Sequence, residues 1–513
     1  MNHLPVLVVL TPLATALIAS LLSVYRARAV RYVTLGGAVA HGVILVFTAY
    51  TALTTNGLAY AVGGWAAPVG IVLVVDSFAA FFLVILAIGH GAVTVYAAGE
   101  SQLGRTGFGI LLPLLATALS GIIVAGDLFN LFVFLELAAI ASTGLVSLKR
   151  RGTGAVFGFV YLVYASLSGL LFLVGVVVLY AGTGALTLAE IAASSAGLSP
   201  TTITIAFVCF LVSFGIKFGL VPLHFWQAPV YDAAGSTAAA FLSGTAMKAY
   251  LYAVIRITWH GLRIPTTVPQ AFVILLILGM VNIVIGHLAG LSERDVKRLL
   301  AFSGVAHVGY IVVGLAVAGA STENPVVAGA ALAAVLLHVL MHTLSKTALF
   351  FSARRLIAHA RTSAIDRFGG AARAEPVAFS AFCVAALAIV GVPPTIGFAS
   401  KWYISLTALE RFGIVPVIVI SLGTVISMVY YARVATVALG PDARSGADDR
   451  RGHGVDRDTH RVGRAFGATA MALLAAATVA LGPAASVLHA LFACAAFALT
   501  EFDAYLVLVR GAL

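Results

Sequence analysis

One carboxylate and four lysines stand inside stretches apolar and long enough to cross a bilayer. Glu136 lies near the middle of Gly126–Leu148, GDLFNLFVFLELAAIASTGLVSL, while Lys217, Lys248, Lys346 and Lys401 each sit in an apolar run of their own. Only two of the six lysines, Lys149 and Lys297, fall outside such runs. An ionised side chain in hydrocarbon is costly unless it is paired, neutralised or wetted. Packing alone gives no reason for such a set, so it reads as a charged path for ions. His338, His342 and Lys346, in LHVLMHTLSKTALF, are spaced i, i+4, i+8 and share one helix face. A neutral imidazole accepts and passes a proton near neutral pH, so this stripe suits a relay. With no partner carboxylate or Cys motif, the two histidines make a poor zinc site.

Lys217 lies beside the helix-breaking segment GIKFGLVPLHFW (215–226). Burial favours its neutral form and a nearby carboxylate its charged form, so a Glu136–Lys217 pair is a natural toggle. A static ion pair holding helices together is the competing reading. Lys248, in SGTAMKAYLYAVIR, is well inside its run, whereas Arg256 is nearer the end and is expected to snorkel to the interface. Lys401 follows a second break, GVPPTIGFASKW (391–402), and matches Lys217 in position. Two further histidines are secondary candidates. His307, in AFSGVAHVGY, either links the two halves or packs in the core, and His224 is placed to line the first break. Asp76 and Asp127 lie near span ends, where water is expected to reach them, and Glu410 is expected at the interface; none of the three is assigned to the relay.

The elements that must position these residues follow from composition. The chain is 61% hydrophobic and 10% charged, against about 25% charged in a soluble domain. An all-α polytopic membrane protein is predicted, with about fourteen transmembrane spans: 4–24, 31–53, 69–98, 107–125, 127–148, 155–181, 202–226 (broken), 235–259, 269–290, 297–319, 325–353, 376–409 (broken), 413–438 and 464–488. The first stretch has no basic n-region and is expected to be retained as a span. From His489 onward, Glu501, Asp503 and Arg510 favour an interfacial helix. Arg26, Arg28 and Arg31, then Lys149, Arg150 and Arg151, then Arg294, Lys297 and Arg298, then Arg354, Arg355, Arg361, Arg367 and Arg373 all fall in loops on one side of this arrangement. That side is expected to be cytoplasmic, with both termini external, in a cell membrane. The net charge of +11 is thereby accounted for without nucleic acid as a partner. Loop 440–463, rich in Gly and Arg, reads as solvated chain rather than a metal site, and Cys209, Cys383 and Cys494 read as small buried residues.

The paired breaks, each after about four spans, suggest two inverted five-helix repeats at 107–259 and 269–438, preceded by three helices in 1–106 and followed by a cytoplasmic loop and last span in 439–513. There is no GxxxxGK[ST] loop, no Cys cluster or CxxCH, and no GxSxG or HExxH. No catalytic, cofactor-binding or metal-binding group is therefore expected, and energy is expected from an ion gradient or from partner subunits.

The segments GDLFNLFVFLE, LVPLHFW, LSGTAMK, ERDVKRLLAFSGVAHVGY, HTLSKTALFF and GVPPTIGFASKWY resemble, in order, signature segments of Mrp-type multisubunit cation/proton antiporters. They resemble more broadly the antiporter-like proton-pumping subunits of respiratory complex I and of membrane-bound hydrogenases. The resemblance covers about 100–440, and DLFNLFVFLE is most similar to the D-type member of the Mrp antiporters. It implies fourteen helices, two inverted five-helix repeats and broken seventh and twelfth helices. It also implies that Glu136 tunes Lys217, that Lys248 and the His338/His342/Lys346 group form the central relay, and that Lys401 lies near the far exit. One stretch departs from the pattern. Between LHFW and LSG the family reads close to LPDAHSAAPSPVSAL and this chain QAPVYDAAGSTAAAF, so the connection there is expected to differ and nothing is carried onto Asp232.

The function expected is that of a proton-translocating subunit of a multisubunit antiporter exchanging Na+ or another monovalent cation for protons, embedded among other membrane subunits. A redox-driven pump subunit of a complex I-like or hydrogenase assembly is the first alternative, and a structural membrane scaffold the second.

Overall fold

Inside a bilayer every backbone group must find its partner within the chain, so apolar sequence of this kind resolves into helices. The computed structural model describes residues 3–65, 70–104, 106–148, 153–442, 457–499 and 502–511. Among them the chain runs α1 (Leu4–Tyr25), α2 (Ala27–Thr54), a hairpin of β1 (Leu58–Ala61) and β2 (Val72–Val75), α3 (Ser77–Gly99), α4 (Thr106–Val124), α5 (Leu128–Ser147), α6 (Thr153–Thr183) and the short α7 (Leu188–Ser194). Next come α8 (Pro200–Phe218), α9 (Gln227–Ala233), α10 (Ser236–Phe241), a π-helical turn at Leu242–Ala246, α11 (Met247–Arg256) and α12 (Ile264–Thr267). The rest comprises α13 (Ala271–Ser292), α14 (Val296–Ala320), α15 (Pro325–Ala360), α16 (Ala371–Ala374), α17 (Pro376–Val390), α18 (Ile396–Phe412), α19 (Ile414–Leu439), α20 (Arg457–Ala480), α21 (Ala485–Phe497) and α22 (Phe502–Arg510).

Among the described residues, twelve helices, with α10 and α11 joined as Ser236–Gly261, are long and apolar enough to cross a membrane. The other two predicted spans are built from pieces. One is split into α17 and α18; the other is α20, which meets α21 at 91°. The chain is a multi-pass membrane protein. Its centre is marked by burial: the most apolar 18 residues of the α10–α11 span are 100% buried and those of α14 94%, while those of α1, α2 and α19 are only 33% buried. The lysines and histidines of interest ride on the inner helices or beside them.

Both broken helices stop in the same way. α8 ends at Gly219, with φ 76° and ψ 46°, and α17 at Gly391, with φ 90° and ψ 49°. This left-handed residue lets a helix close its last carbonyls and turn away, and glycine adopts it without a Cβ penalty. A cis X-Pro bond follows in each break, at Val221–Pro222 and Pro393–Pro394. Asn282 of α13 fixes the first break, accepting from Val221 N at 2.7 Å and donating to Val305 O of α14 at 3.0 Å.

The structure departs from the sequence-based expectations at several places. The span expected from residue 69 begins only at Ser77, because Asp76 caps α3 by accepting from Ala79 N at 2.9 Å. The apolar VLVV before it is β2, paired antiparallel with β1; so short an apolar run has no period that separates strand from helix. The last predicted span ends at Ala480, eight residues early, and α21 and α22 are each too short to cross. Arg510 of α22 bonds Glu190 of α7 at 3.1 Å. The cysteines are not buried: Cys209 and Cys383 are half-buried and Cys494 is exposed. Lipid is as apolar as a core, so apolar neighbours in sequence do not place a residue inside. Lys149, Arg150, Arg151, residues 443–456 of loop 440–463, and Glu501 lie outside the described residues.

Candidate functional site

Lys217 occupies the last turn of α8, where the helix dipole favours a cation. It is buried, with Nζ 5.4 Å from the centre of the Tyr250 ring. Lys217, Tyr161, Trp226, Tyr231 and Tyr250 help line a cavity of about 10 Å3, on the order of the space for one water. Trp226 is held across the break by donating Nε1 to Ile216 O at 2.8 Å. Glu136, half-buried on α5, does not reach the lysine: among the described residues, no ion pair within 4.0 Å includes either side chain. Its Oε1 rests on the backbone of Gly169 in α6, where a Cβ would stand 2.1 Å away. Glycine thus gives the carboxylate a seat on α6 rather than on the lysine. Next to Gly169, Ser168 donates to Ser213 O at 2.9 Å, and Ser213, one turn before Lys217, donates back to Ser168 O at 2.7 Å. That clasp fixes the helix carrying the seat against the helix carrying the lysine.

At the centre, polar side chains from four helices lie close together. After the π-helical turn, Lys248 folds back so that Nζ donates to Ser243 O at 2.8 Å and lies 2.6 Å from His342 Nδ1 of α15. Such turns recur at functional sites because they re-aim the side chains that follow them. The His342 and His307 rings are 5.4 Å apart, and His307 Nδ1 of α14 shares a 3.0 Å hydrogen bond with His338 Nε2. His338 Nδ1 is 3.1 Å from Ser400 Oγ, the residue before Lys401. His338, His342 and Lys346 do share one face of α15, yet each meets a different partner: Lys346 turns to α14, donating to Leu300 O at 2.6 Å.

Lys401 closes the run. Its Nζ donates to Val390 O at 2.9 Å, the last residue of α17, and lies 4.5 Å from the centre of the Tyr310 ring. Each break therefore presents the carbonyl end of a half-helix to a lysine, Lys217 from the same helix and Lys401 from the one that follows. Gly391 makes room, since a Cβ there would be 3.2 Å from Lys401 Cδ.

Sequence reasoning missed several residues of this region. His287 of α13 bonds Tyr310 OH at 2.9 Å and Tyr430 OH at 3.1 Å, beside Lys401. As a lone imidazole inside an apolar run it carried the same signal as His307. The tyrosines round Lys217 and Lys401 gave none, because a phenol ring is at home in any span. His224 lies in the first break against Phe225, its Nδ1 unbonded, and among the described residues no hydrogen bond joins it to the other candidates.

Arg256 does not snorkel. It is 2% exposed, grips Asp76 with two bonds of 2.6 and 2.7 Å, and lies 2.8 Å from His260 Nδ1. A carboxylate buried 180 residues away in sequence holds it inside. Asp76 and Asp127, expected in reach of water, are 8% and 6% exposed. Asp232 pairs with Lys297 at 3.1 Å. A separate cluster, His41, His90 and Ser120, joins α2, α3 and α4 through bonds of 3.1 Å.

Residues 125–427 match the family described as NADH:quinone oxidoreductase/Mrp antiporter, TM. Among curated proteins, the chain is 35% identical over 441 residues to NADH-quinone oxidoreductase subunit N of Desulforudis audaxviator, covering 84% of this chain and 85% of that one. It is 32% identical over 419 residues to the D-type subunit of the Na(+)/H(+) antiporter of Alkalihalophilus pseudofirmus, covering 80% and 81%. Among solved structures, a chain of the Mrp complex from Dietzia sp. superposes with a TM-score of 0.86 at 24% identity, covering 99% of each. A chain of an archaeal membrane-bound sulfane sulfur reductase matches with the same TM-score and identity, so at this level the likeness is one of fold.

Proposed function

The chain belongs to the transmembrane family shared by NADH:quinone oxidoreductases and Mrp antiporters, and from that premise we propose that it is the proton-translocating subunit of a multisubunit monovalent-cation/proton antiporter. One observation carries the reading. Lys248, His342, His307, His338 and Ser400 follow one another through the buried centre and end at Lys401. Buried titratable groups with no opposite charge to pair with stabilise nothing that apolar side chains would not stabilise better. Protons enter the run from the Glu136/Lys217 side, where approach of the carboxylate favours the charged lysine and its withdrawal releases the proton. Each lysine then loads or unloads as its neighbour's charge changes, and Na+ or another monovalent cation moves the other way through a path shared with partner subunits.

In this reading 107–259 and 269–438 are two inverted units, the basic loops face the cytoplasm, both termini are external, and the membrane is the plasma membrane. The subunit is a secondary transporter, driven by a gradient, and performs no catalysis. The relative from Desulforudis favours a second reading, a pumping subunit driven by a redox partner. The two are separated by adding sodium to inverted vesicles of the intact assembly, prepared from cells lacking other antiporters. An antiporter collapses ΔpH on that addition, and Glu136→Ala or Lys217→Ala abolishes the collapse with assembly intact. No response in the intact assembly favours the redox-driven pump. A response untouched by both substitutions makes the pair structural.

A further inference from the structure

Two helices begin with the same cap on the side opposite the basic loops, and only one cap is electrically complete. Asp76 caps α3 through Oδ1, accepting from Ala79 N at 2.9 Å, and its Oδ2 takes a bond of 2.7 Å from Arg256. Asp127 caps α5 through Oδ1, accepting from Asn130 N at 2.6 Å, but its Oδ2 is buried and makes no hydrogen bond among the described residues. The residue is 6% exposed. Arg256 is committed to Asp76, Tyr252 and His260, and Arg510, on the same side, to Glu190.

Directly across an antiparallel bridge from Asp127 stands Thr187, 1% exposed, whose Oγ1 is likewise buried without a hydrogen bond. Leu128 N to Leu186 O at 2.9 Å and Leu188 N to Gly126 O at 3.0 Å hold the two strands of chain in register, and Gly126 N is tied to Val72 O of β2 at 2.9 Å. Residues opposite each other in such a bridge put their side chains on one face, with Cβ atoms about 4.5–5.5 Å apart. The carboxylate and hydroxyl oxygens extend from those Cβ atoms on the same face, within reach of one hard cation held about 2.3–2.6 Å from each oxygen, as for an ion of the radius shared by Ca2+ and Na+. A single carboxylate neutralises one positive charge; a divalent ion would leave net charge buried.

We propose that Asp127 Oδ2 and Thr187 Oγ1 are two ligands of a binding site for a monovalent cation of Na+ size, at the N-terminal end of α5. The site rests on the antiporter reading only for its use in transport. Asp127 lies nine residues before Glu136 at the head of the same helix, so an ion bound there biases the carboxylate seated on Gly169.

The test is thermal unfolding of the purified intact assembly, titrated with NaCl against choline chloride at equal ionic strength. Asp127→Asn removes the charge while keeping an equally good cap, and Thr187→Val removes the hydroxyl at constant shape. The expected result is stabilisation by Na+ in the intact assembly, with the half-maximal Na+ concentration raised about tenfold or more in Asp127→Asn and in the same direction in Thr187→Val. A Na+ response that is absent from the intact assembly, or unchanged in both variants, overturns the site. An assembly with an Asp127-dependent Na+ response but no sodium-driven proton movement retains the site and loses the antiporter reading. Sodium-driven proton movement without an Asp127-dependent response retains the reading and loses the site.

Discussion

Gly169 decides where the mid-membrane carboxylate sits. Because a Cβ there would stand 2.1 Å from Glu136 Oε1, Gly169→Ala must push the carboxylate off α6 while removing no titratable group. Displacing a charge by about an ångström is costly where function depends on its distance from a partner, so exchange is expected to fall by about tenfold or more. The readout is sodium-driven ΔpH collapse at unchanged protein level; wild-type exchange would show that the seat is irrelevant. Residues of this kind were only partly legible in the sequence. Glu136, Lys217, Lys248, Lys346 and Lys401 announced themselves because a charge inside an apolar run has few structural reasons to be there. Tyr161, Tyr231, Tyr250 and Tyr310 did not, since the ring fits any span and only the fold brings the phenol to a lysine. The Asp76–Arg256 pair was illegible for another reason: nothing local reveals a partner 180 residues away.

At the scale of elements, the two broken helices were readable from glycine and proline clusters, but what pins them was not. Asn282→Ala strips the first break of its partner at Val221 N and leaves Val305 O without one donor. Losing a buried hydrogen-bond partner costs about 1–3 kcal/mol, so a lower unfolding temperature of the assembly in detergent is expected. An unchanged temperature would mean that the break is held by its flanking helices alone. The buried Asp76–Arg256 pair ties α3 to α11, and removing one partner leaves an uncompensated charge. Arg256→Ala is expected to destabilise by about 3–5 kcal/mol, while the double change Asp76→Ala/Arg256→Ala is expected to recover part of that loss. Equal loss in the single and double variants would show that the pair acts through packing rather than charge. The hairpin of β1 and β2 was hidden in the sequence because helix and strand leave the same mark in four apolar residues.

At the scale of the molecule, the least exposed helices are those that carry the polar run, and the most apolar surface is turned outward. This inversion of a soluble fold is why apolar context misplaced the cysteines yet placed the lysines. It also makes the proposed relay a series arrangement: Lys248 meets His342, His342 lies against His307, and His307 bonds His338, which reaches Ser400 beside Lys401. In a series path a break at the far end stops flow as completely as a break at the entrance. The most direct measurement is therefore sodium-driven ΔpH collapse in inverted vesicles carrying Lys401→Ala, with protein level and assembly verified. Loss of exchange as complete as in Lys217→Ala is the predicted result; wild-type exchange in Lys401→Ala would contradict a proton path that runs from one break to the other.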